Sequence, residues 1–132
     1  MSNFSKRVEA STTRITKLVF PQDTNHIHTL YGGTALQWMD EVGFLVATRF
    51  SRQKAVTVSM DRVDFKVPIP EGSIVELVGK VTRVGTTSMT IRVQLFREDM
   101  YLGGQDLAVS AEMVFVAVGD DNRPVPLSLH DD

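Results

Sequence analysis

The chain has no cysteine. That excludes a disulfide scaffold, a thiolate metal site and a cysteine nucleophile, and it is compatible with a reducing cytosol. No basic block occurs either. Fourteen lysines and arginines stand against 16 aspartates and glutamates, a net charge of −2, so nucleic acid is not expected as a partner. No apolar run approaches the ~20 residues that span a bilayer as a helix. The opening MSNFSKRVEASTTR lacks the apolar core of a signal peptide. A cytoplasmic location with no membrane partner is therefore expected.

What is present is patterning across 132 residues, enough for one domain with a real core. Residues 1 to 12 are polar and read as a disordered segment or an arm. RITKLVF (14–20) reads as a short strand stopped by Pro21. The loop QDTNHIHTLYGG then leads to a helix from about Gly33 to Ser51, the one convincing helix of the chain. KAVTVSMDRVDF has strand character, with Val56, Val58, Met60, Val63 and Phe65 as inward positions. VPIPEG is a turn by its proline and glycine chemistry. SIVELVGKVTRVG and SMTIRVQLFRED are alternating strands joined through Gly85-Thr86-Thr87. MYLGGQ makes the next hairpin turn, LAVSAEMVFVAVG is the last strand, and DDNRPVPLSLHDD is a polar tail.

The expected organisation is an arm at 1–12, one domain at 13–119 and a tail at 120–132. One strand, one long helix and four further strands with short turns argue for an α+β fold. In it, one helix packs on an antiparallel sheet of five or more strands. Apolar residues on the second face of the strands point to an obligate oligomer.

The helix carries an acid where a core residue belongs. At about 100° per residue, Asp40 shares a stripe with Gly33, Leu36, Gly43, Phe44 and Ala47. Ala35, Met39, Val42, Val46 and Phe50 extend the apolar arc, while Thr34, Gln37, Glu41 and Thr48 make a narrow polar side. Burying an unpaired carboxylate is costly. Asp40 is therefore either paired with an arginine at a helix edge or exposed in a cleft. Gly43 and Ala47 leave room for a pocket beside it, or mark close packing. Gly32-Gly33 at the helix start is a simple turn, or a set of free N–H groups able to polarise a carbonyl. Asp40 lies about 10 Å further along the axis, a gap that a bound substrate could bridge.

Three segments, FPQDTNHIHTLYGGTALQWMDE, AVTVSMDRVDFKVPIPEG and VTRVGTTSM, follow in that order over residues 20 to 89. Together they resemble the acyl-CoA thioesterases of the hot-dog fold, in the branch of small bacterial enzymes related to the cytosolic and brown-fat-inducible mammalian ones. The resemblance implies a long central helix wrapped by an antiparallel sheet. It implies hydrolysis of fatty acyl-coenzyme A to free acid and coenzyme A, with no metal and no cofactor beyond the coenzyme A of the substrate.

Residue by residue, it implies Asp40 of the MD pair as the catalytic carboxylate, Asn25 as its companion amide, and an oxyanion site at Gly32 and Gly33. Coenzyme A would meet Val58, Ser59 and Met60, then Thr87, Ser88 and Met89, with Lys66 available to its phosphates. The active site would lie at a dimer interface, with Asn25 and Asp40 from different protomers, and the full assembly would be a trimer of dimers. The chemistry suits these groups. Asp40 deprotonates a water or attacks the carbonyl to give a mixed anhydride, and Asn25 orients the water or bonds Asp40. A thiol of pKa about 8.5 leaves without a strong acid or a metal.

Departures remain. His26 and His28 form an H-x-H pair, but completing a metal site would need distant carboxylates. His28 stands where the family often has glycine, which implies a differently bent loop. The turn at Gly85 lacks an arginine the family often places there, leaving the phosphates to Lys66, Arg62, Arg83 or solvent. Trp38 reads as packing, and Asp61, Asp64, Asp99 and Asp106 as surface acids. Two rival functions stand beside hydrolysis. One is a hydratase or dehydratase, for which His28 is the only histidine in place. The other is a non-catalytic acyl-CoA or nucleotide-binding module.

Overall fold

The computed structural model describes residues 2–128. In chain order it contains α1 (Asn3–Ser11), β1 (Thr13–Leu18), α2 (Gly32–Ser51), β2 (Ala55–Phe65), β3 (Ile74–Val84), β4 (Ser88–Asp99) and β5 (Gly103–Ala117). The strands form one five-stranded antiparallel sheet in the order β1-β3-β4-β5-β2. With α2 packed on one face, this is the expected hot-dog arrangement. Among the described residues, no helix is long and apolar enough to cross a membrane.

The apolar arc of α2 decides how it docks. Met39, Val42, Val46 and Phe50 are at most 1% exposed, as are Leu77, Ile91, Val93 and Met113 from the sheet. Two glycines let these layers meet. A Cβ on Gly79 of β3 would stand 2.9 Å from methyls of Val42 and Val46, and one on Gly43 of α2 would stand 2.9 Å from the Phe115 ring. Both distances are inside the ordinary contact separation of carbon atoms. The small residue next to Asp40 therefore marks close packing, and the pocket expected above Gly43 is filled by Phe115. At its end α2 stops on Arg52, whose φ of +53° is left-handed and whose N–H donates to the Thr48 carbonyl.

The segment expected as a disordered stretch or arm is helical over Asn3–Ser11. Ser2 caps it by accepting from the Ser5 N–H at 3.1 Å. Val8 and Ser11 are buried, the Phe4 ring meets Phe50 edge-on at 6.0 Å, and Arg7 lies 4.9 Å from the Phe50 centroid. Arg7 also donates to the Phe50 carbonyl. So short a polar helix is marginal alone; its order comes from the end of α2.

The expected facing of β2 is also corrected. Val56 and Val58 are exposed, while Ala55 and Thr57 lie opposite the buried Ala117 and Phe115. A bulge between Thr57 and Ser59 inserts Val58 and resets the alternation, so that Met60 turns inward opposite Met113. Val63 packs against the core as expected, whereas Phe65 is half exposed.

The polar tail lies along the sheet as far as it is described. Val125 and Leu127 donate backbone N–H groups to Ala117 and Thr86 at 2.9 Å each, and the Gln53 amide holds Pro126 and Ser128. Residues 129–132 of that tail, and Met1 of the expected arm, lie outside the described residues.

Candidate active site

Asp40 is half-buried on the rim of α2, where the sheet ends in the edge strand β2. Its Oδ1 accepts a hydrogen bond of 2.7 Å from the Thr57 hydroxyl. Among the described residues no lysine, arginine or histidine forms an ion pair with it. The helix-edge pairing with an arginine is thus not what is found. The carboxylate instead lines a cavity of about 480 Å³ with Glu41, Phe44, Leu45, Ala55, Val56 and Thr57. A hydroxyl that fixes one carboxylate oxygen leaves the other's lone pairs for a substrate or a water.

Thr57 was not among the sequence candidates. Reading Val56 and Val58 as inward places Thr57 on the wrong face, and only the bulge reverses that assignment.

Asn25 shapes its own loop. Its Oδ1 accepts from the Ile27 and Thr29 N–H groups at 3.1 Å each, and its Nδ2 donates to Thr29 Oγ1 at 2.9 Å. This is an Asx-type turn. His28 follows with φ +62°, the left-handed conformation that glycine adopts readily. The loop therefore keeps a glycine-like bend despite the side chain. His28 Nδ1 lies 3.7 Å from Glu71 Oε1. Among the described residues, no three histidine, cysteine, aspartate or glutamate side chains gather as metal ligands would.

Gly32 and Gly33 open α2, where the first N–H groups have no acceptor within the helix. The Phe65 ring lies 3.6 Å from where a Gly32 Cβ would be, and nothing stands within 4 Å of that position on Gly33. Seven residues separate Gly33 from Asp40, about 10 Å of helix rise. A single chain does not bring the glycine pair and Asp40 to one point, and the Asn25 side chain bonds within its own loop.

The two expected coenzyme A segments lie on, or at the turn before, the two strands that flank β5. Val116 of β5 pairs with Val56 on one side and Ser88 on the other, and Phe115 likewise pairs with Thr57 and Met89. Residues 56–57 and 88–89 thus flank one strand directly, about 10 Å apart at two strand spacings, whereas Ser59 and Met60 lie further along β5, across from Thr90 and Ile91. Thr87 and Ser88 are half-buried at the turn, and Ser59 donates to Asp61 at 3.3 Å. Met89 is fully buried and Met60 packs against the core, so their side chains belong to the interior.

Lys66 lies apart from these, at the other end of β2, paired with Asp64 at 2.9 Å. It lines a smaller cavity of about 170 Å³ with Leu30, Phe65 and Ile69. Arg62 and Arg83 share a hollow of about 260 Å³ with Thr82, Thr90 and Glu112. Trp38 is buried as expected, with Lys17 Nζ 4.8 Å from its ring centroid. Asp106 is not merely solvated: Arg97 donates to both its oxygens, at 2.9 and 3.2 Å. Asp99 accepts from the Leu102 and Tyr101 N–H groups, which hold its carboxyl below the usual aspartate range.

This geometry has close parallels. Residues 27–103 match the family model described as thioesterase superfamily. An uncharacterised acyl-CoA thioester hydrolase, YkhA of Bacillus subtilis, is 40% identical over 112 residues, 85% of this chain; the chain spans 65% of that relative's length. Among solved structures, an acyl-CoA hydrolase from Staphylococcus aureus in complex with butyryl coenzyme A, coenzyme A and coenzyme A disulfide superposes with a TM-score of 0.86. It is 38% identical, over 91% of this chain and 73% of its own. A hexameric acyl-CoA thioesterase without ligand gives 0.88 at 38% identity, over 91% of this chain and 77% of its own.

The S. aureus enzyme has also been solved with an asparagine, an aspartate and a threonine each changed to alanine. Those three positions are 15 and 17 residues apart in its sequence, the separations that divide Asn25, Asp40 and Thr57 here. On the family model and the shared architecture together, the chain belongs to the thioesterase superfamily.

Proposed function

We propose that the protein hydrolyses the thioester of acyl-coenzyme A, releasing a free acid and coenzyme A. The observation that carries this reading is the Asp40–Thr57 contact at the edge of an otherwise largely apolar cavity. Asp40 acts as general base on a water or as nucleophile on the carbonyl carbon. Thr57 holds its carboxylate in place, and Asn25 orients the water or bonds Asp40. The N–H groups at Gly32 and Gly33 stabilise the oxyanion, where preorganised donors act most strongly. The departing thiolate needs no strong acid.

The spacing shared with the three altered positions of the S. aureus enzyme supports Asn25, Asp40 and Thr57 as one functional set. The axial gap between Gly33 and Asp40 supports a site completed by a second copy, with Asn25 and the glycine pair facing Asp40 of the partner. A dimer is then the functional unit and a trimer of dimers the full assembly, in keeping with the hexameric relative. Coenzyme A runs along Val58–Met60 and Thr87–Met89, meeting Met60 and Met89 through backbone atoms, with Lys66, Arg62 and Arg83 available to its phosphates. It is substrate, and no other cofactor or metal is used. The working location is the cytoplasm.

The test is free-thiol release from acyl-CoAs of increasing chain length, wild type beside Asp40→Asn. Turnover that falls by orders of magnitude in the variant establishes reaction and residue together. Turnover that survives the substitution removes Asp40 from the mechanism. No turnover on any chain length leaves a binding module.

A further inference from the structure

The cavity beside Asp40 has a composition that selects what enters it. Apart from Thr57, its polar lining consists of two acids, Asp40 and Glu41, and among the described residues no lysine or arginine lines it; the other walls are Phe44, Leu45, Ala55 and Val56. A coenzyme A arm carries phosphates, which two carboxylates repel and no cation of the same chain offsets. An acyl chain has no such objection and gains from leaving water against these side chains. With the thioester carbon at Asp40, the two arms of the substrate must diverge, and this cavity suits the acyl arm.

Phe44 lines that direction. It lies four residues past Asp40 on the same stripe of α2, about 6 Å along the axis. Helical side chains lean towards the N-terminus, so its ring reaches back towards the carboxylate. It is 48% exposed within the chain, unlike the residues around it that are committed to the core. Met60, the other bulky candidate from the sequence, packs into the core and does not line this cavity. Gly43 is equally unavailable as a deeper floor, since Phe115 occupies its space.

We infer that Phe44 sets the acyl-chain length, as a stop placed one helical turn beyond the catalytic carboxylate. An extended chain advances about 1.2 Å per bond, a third of the rise of one extended residue, so the path from Asp40 to Phe44 accommodates about five carbons. The substrate class is then short-chain acyl-CoA, with the gain per added carbon ending near six. This rests on the acyl-CoA reading of the same site and adds to it the residue that limits the chain.

The experiment uses the full chain and two readouts. One is thiol release from straight-chain acyl-CoAs of two to sixteen carbons, about two at a time. The other is calorimetric binding of the matching S-alkyl coenzyme A thioethers, which have no thioester to cleave and so report on the cavity even without turnover. For wild type, affinity and kcat/KM rise with length and level off near six carbons. In Phe44→Ala the rise continues over several further carbons, by up to about fourfold per methylene. In Phe44→Trp it ends earlier.

Profiles of both variants that parallel wild type, lowered or not, overturn the inference. So does a Phe44→Ala variant that light scattering shows has lost its assembly while the chain-length profile is unmoved, because Phe44 is then an interface side chain. If no acyl-CoA is turned over, the hydrolase reading fails, and the thioether profiles still decide the role of Phe44.

Discussion

Thr57 Oγ1 donates a 2.7 Å hydrogen bond to Asp40 Oδ1, so the edge strand β2 holds the one acid of α2 that stands among apolar neighbours. The contact crosses 17 residues of sequence and two element types. A hydrogen bond to a charged group is worth about 1.5–3 kcal/mol. If it positions the reacting carboxylate, Thr57→Val lowers kcat by about 10- to 100-fold with a small change in KM, and Thr57→Ser restores most of the rate. Steady-state kinetics on a short-chain acyl-CoA reads this directly. Equal rates for Thr57→Val and wild type would reduce Thr57 to a packing residue.

Gly79 is a test of the layer contact beneath the site. An alanine there meets the methyls of Val42 and Val46 at 2.9 Å, both on the buried face of α2. Overpacking of this kind costs about 1–3 kcal/mol. Gly79→Ala should lower the melting temperature and shift α2, whereas Gly33→Ala, with open space around the added methyl, should leave the melting temperature within a degree or two. A melt of Gly79→Ala that matches wild type would show that the helix rides freely over the sheet.

The N-terminal helix makes a separate prediction. Val8 is buried against the core cluster, and replacing it with alanine removes two methyl groups. At roughly 0.8 kcal/mol each, the loss is about 1.6 kcal/mol. Urea unfolding of Val8→Ala should show that loss with no change in slope. An unchanged midpoint would mean that α1 adds nothing to the stability of the domain.

Asp99 gives a pH dependence whose sign follows from its partners. The Leu102 and Tyr101 N–H groups bond its carboxylate form and lower its pKa. The folded state therefore binds its proton less readily than the unfolded one. The stabilisation is present above the ordinary aspartate range and is lost as the pH falls through the lowered value. Exchange of the Tyr101 and Leu102 amides, corrected for intrinsic rate, should become less protected over that acid window in wild type. Asp99→Asn keeps the turn and removes the titration, so its protection should stay flat; a parallel loss in the variant would assign the effect to another group.

Much of the site was legible from local pattern. Asp40 stood out because a helix wheel leaves no solvated position for it, and Gly32-Gly33 because a helix start frees its N–H groups. The antiparallel run β3-β4-β5 followed from short turns between alternating strands, whereas the places of β1 beside β3 and of β2 beside β5 did not. Thr57 was hidden because one extra residue in β2 exchanges the two faces of the strand, and no single-strand pattern shows a bulge set by the neighbouring β5. The helix α1 was hidden because its few apolar residues do not mark a helix by themselves; Phe4, Arg7 and Val8 gain their meaning only against Phe50.

By itself the sequence determined the element types from β1 onward, the position of α2, the out-of-place carboxylate and the family resemblance, because these depend on spacing along the chain. Tertiary structure alone decided which residues share the carboxylate's surroundings. It chose Thr57 over the valines beside it, filled the space above Gly43 with Phe115 and left Phe44 facing the cavity. Such choices turn on distances of a few ångströms between segments far apart in sequence, and those distances exist only once the helix has settled on the sheet.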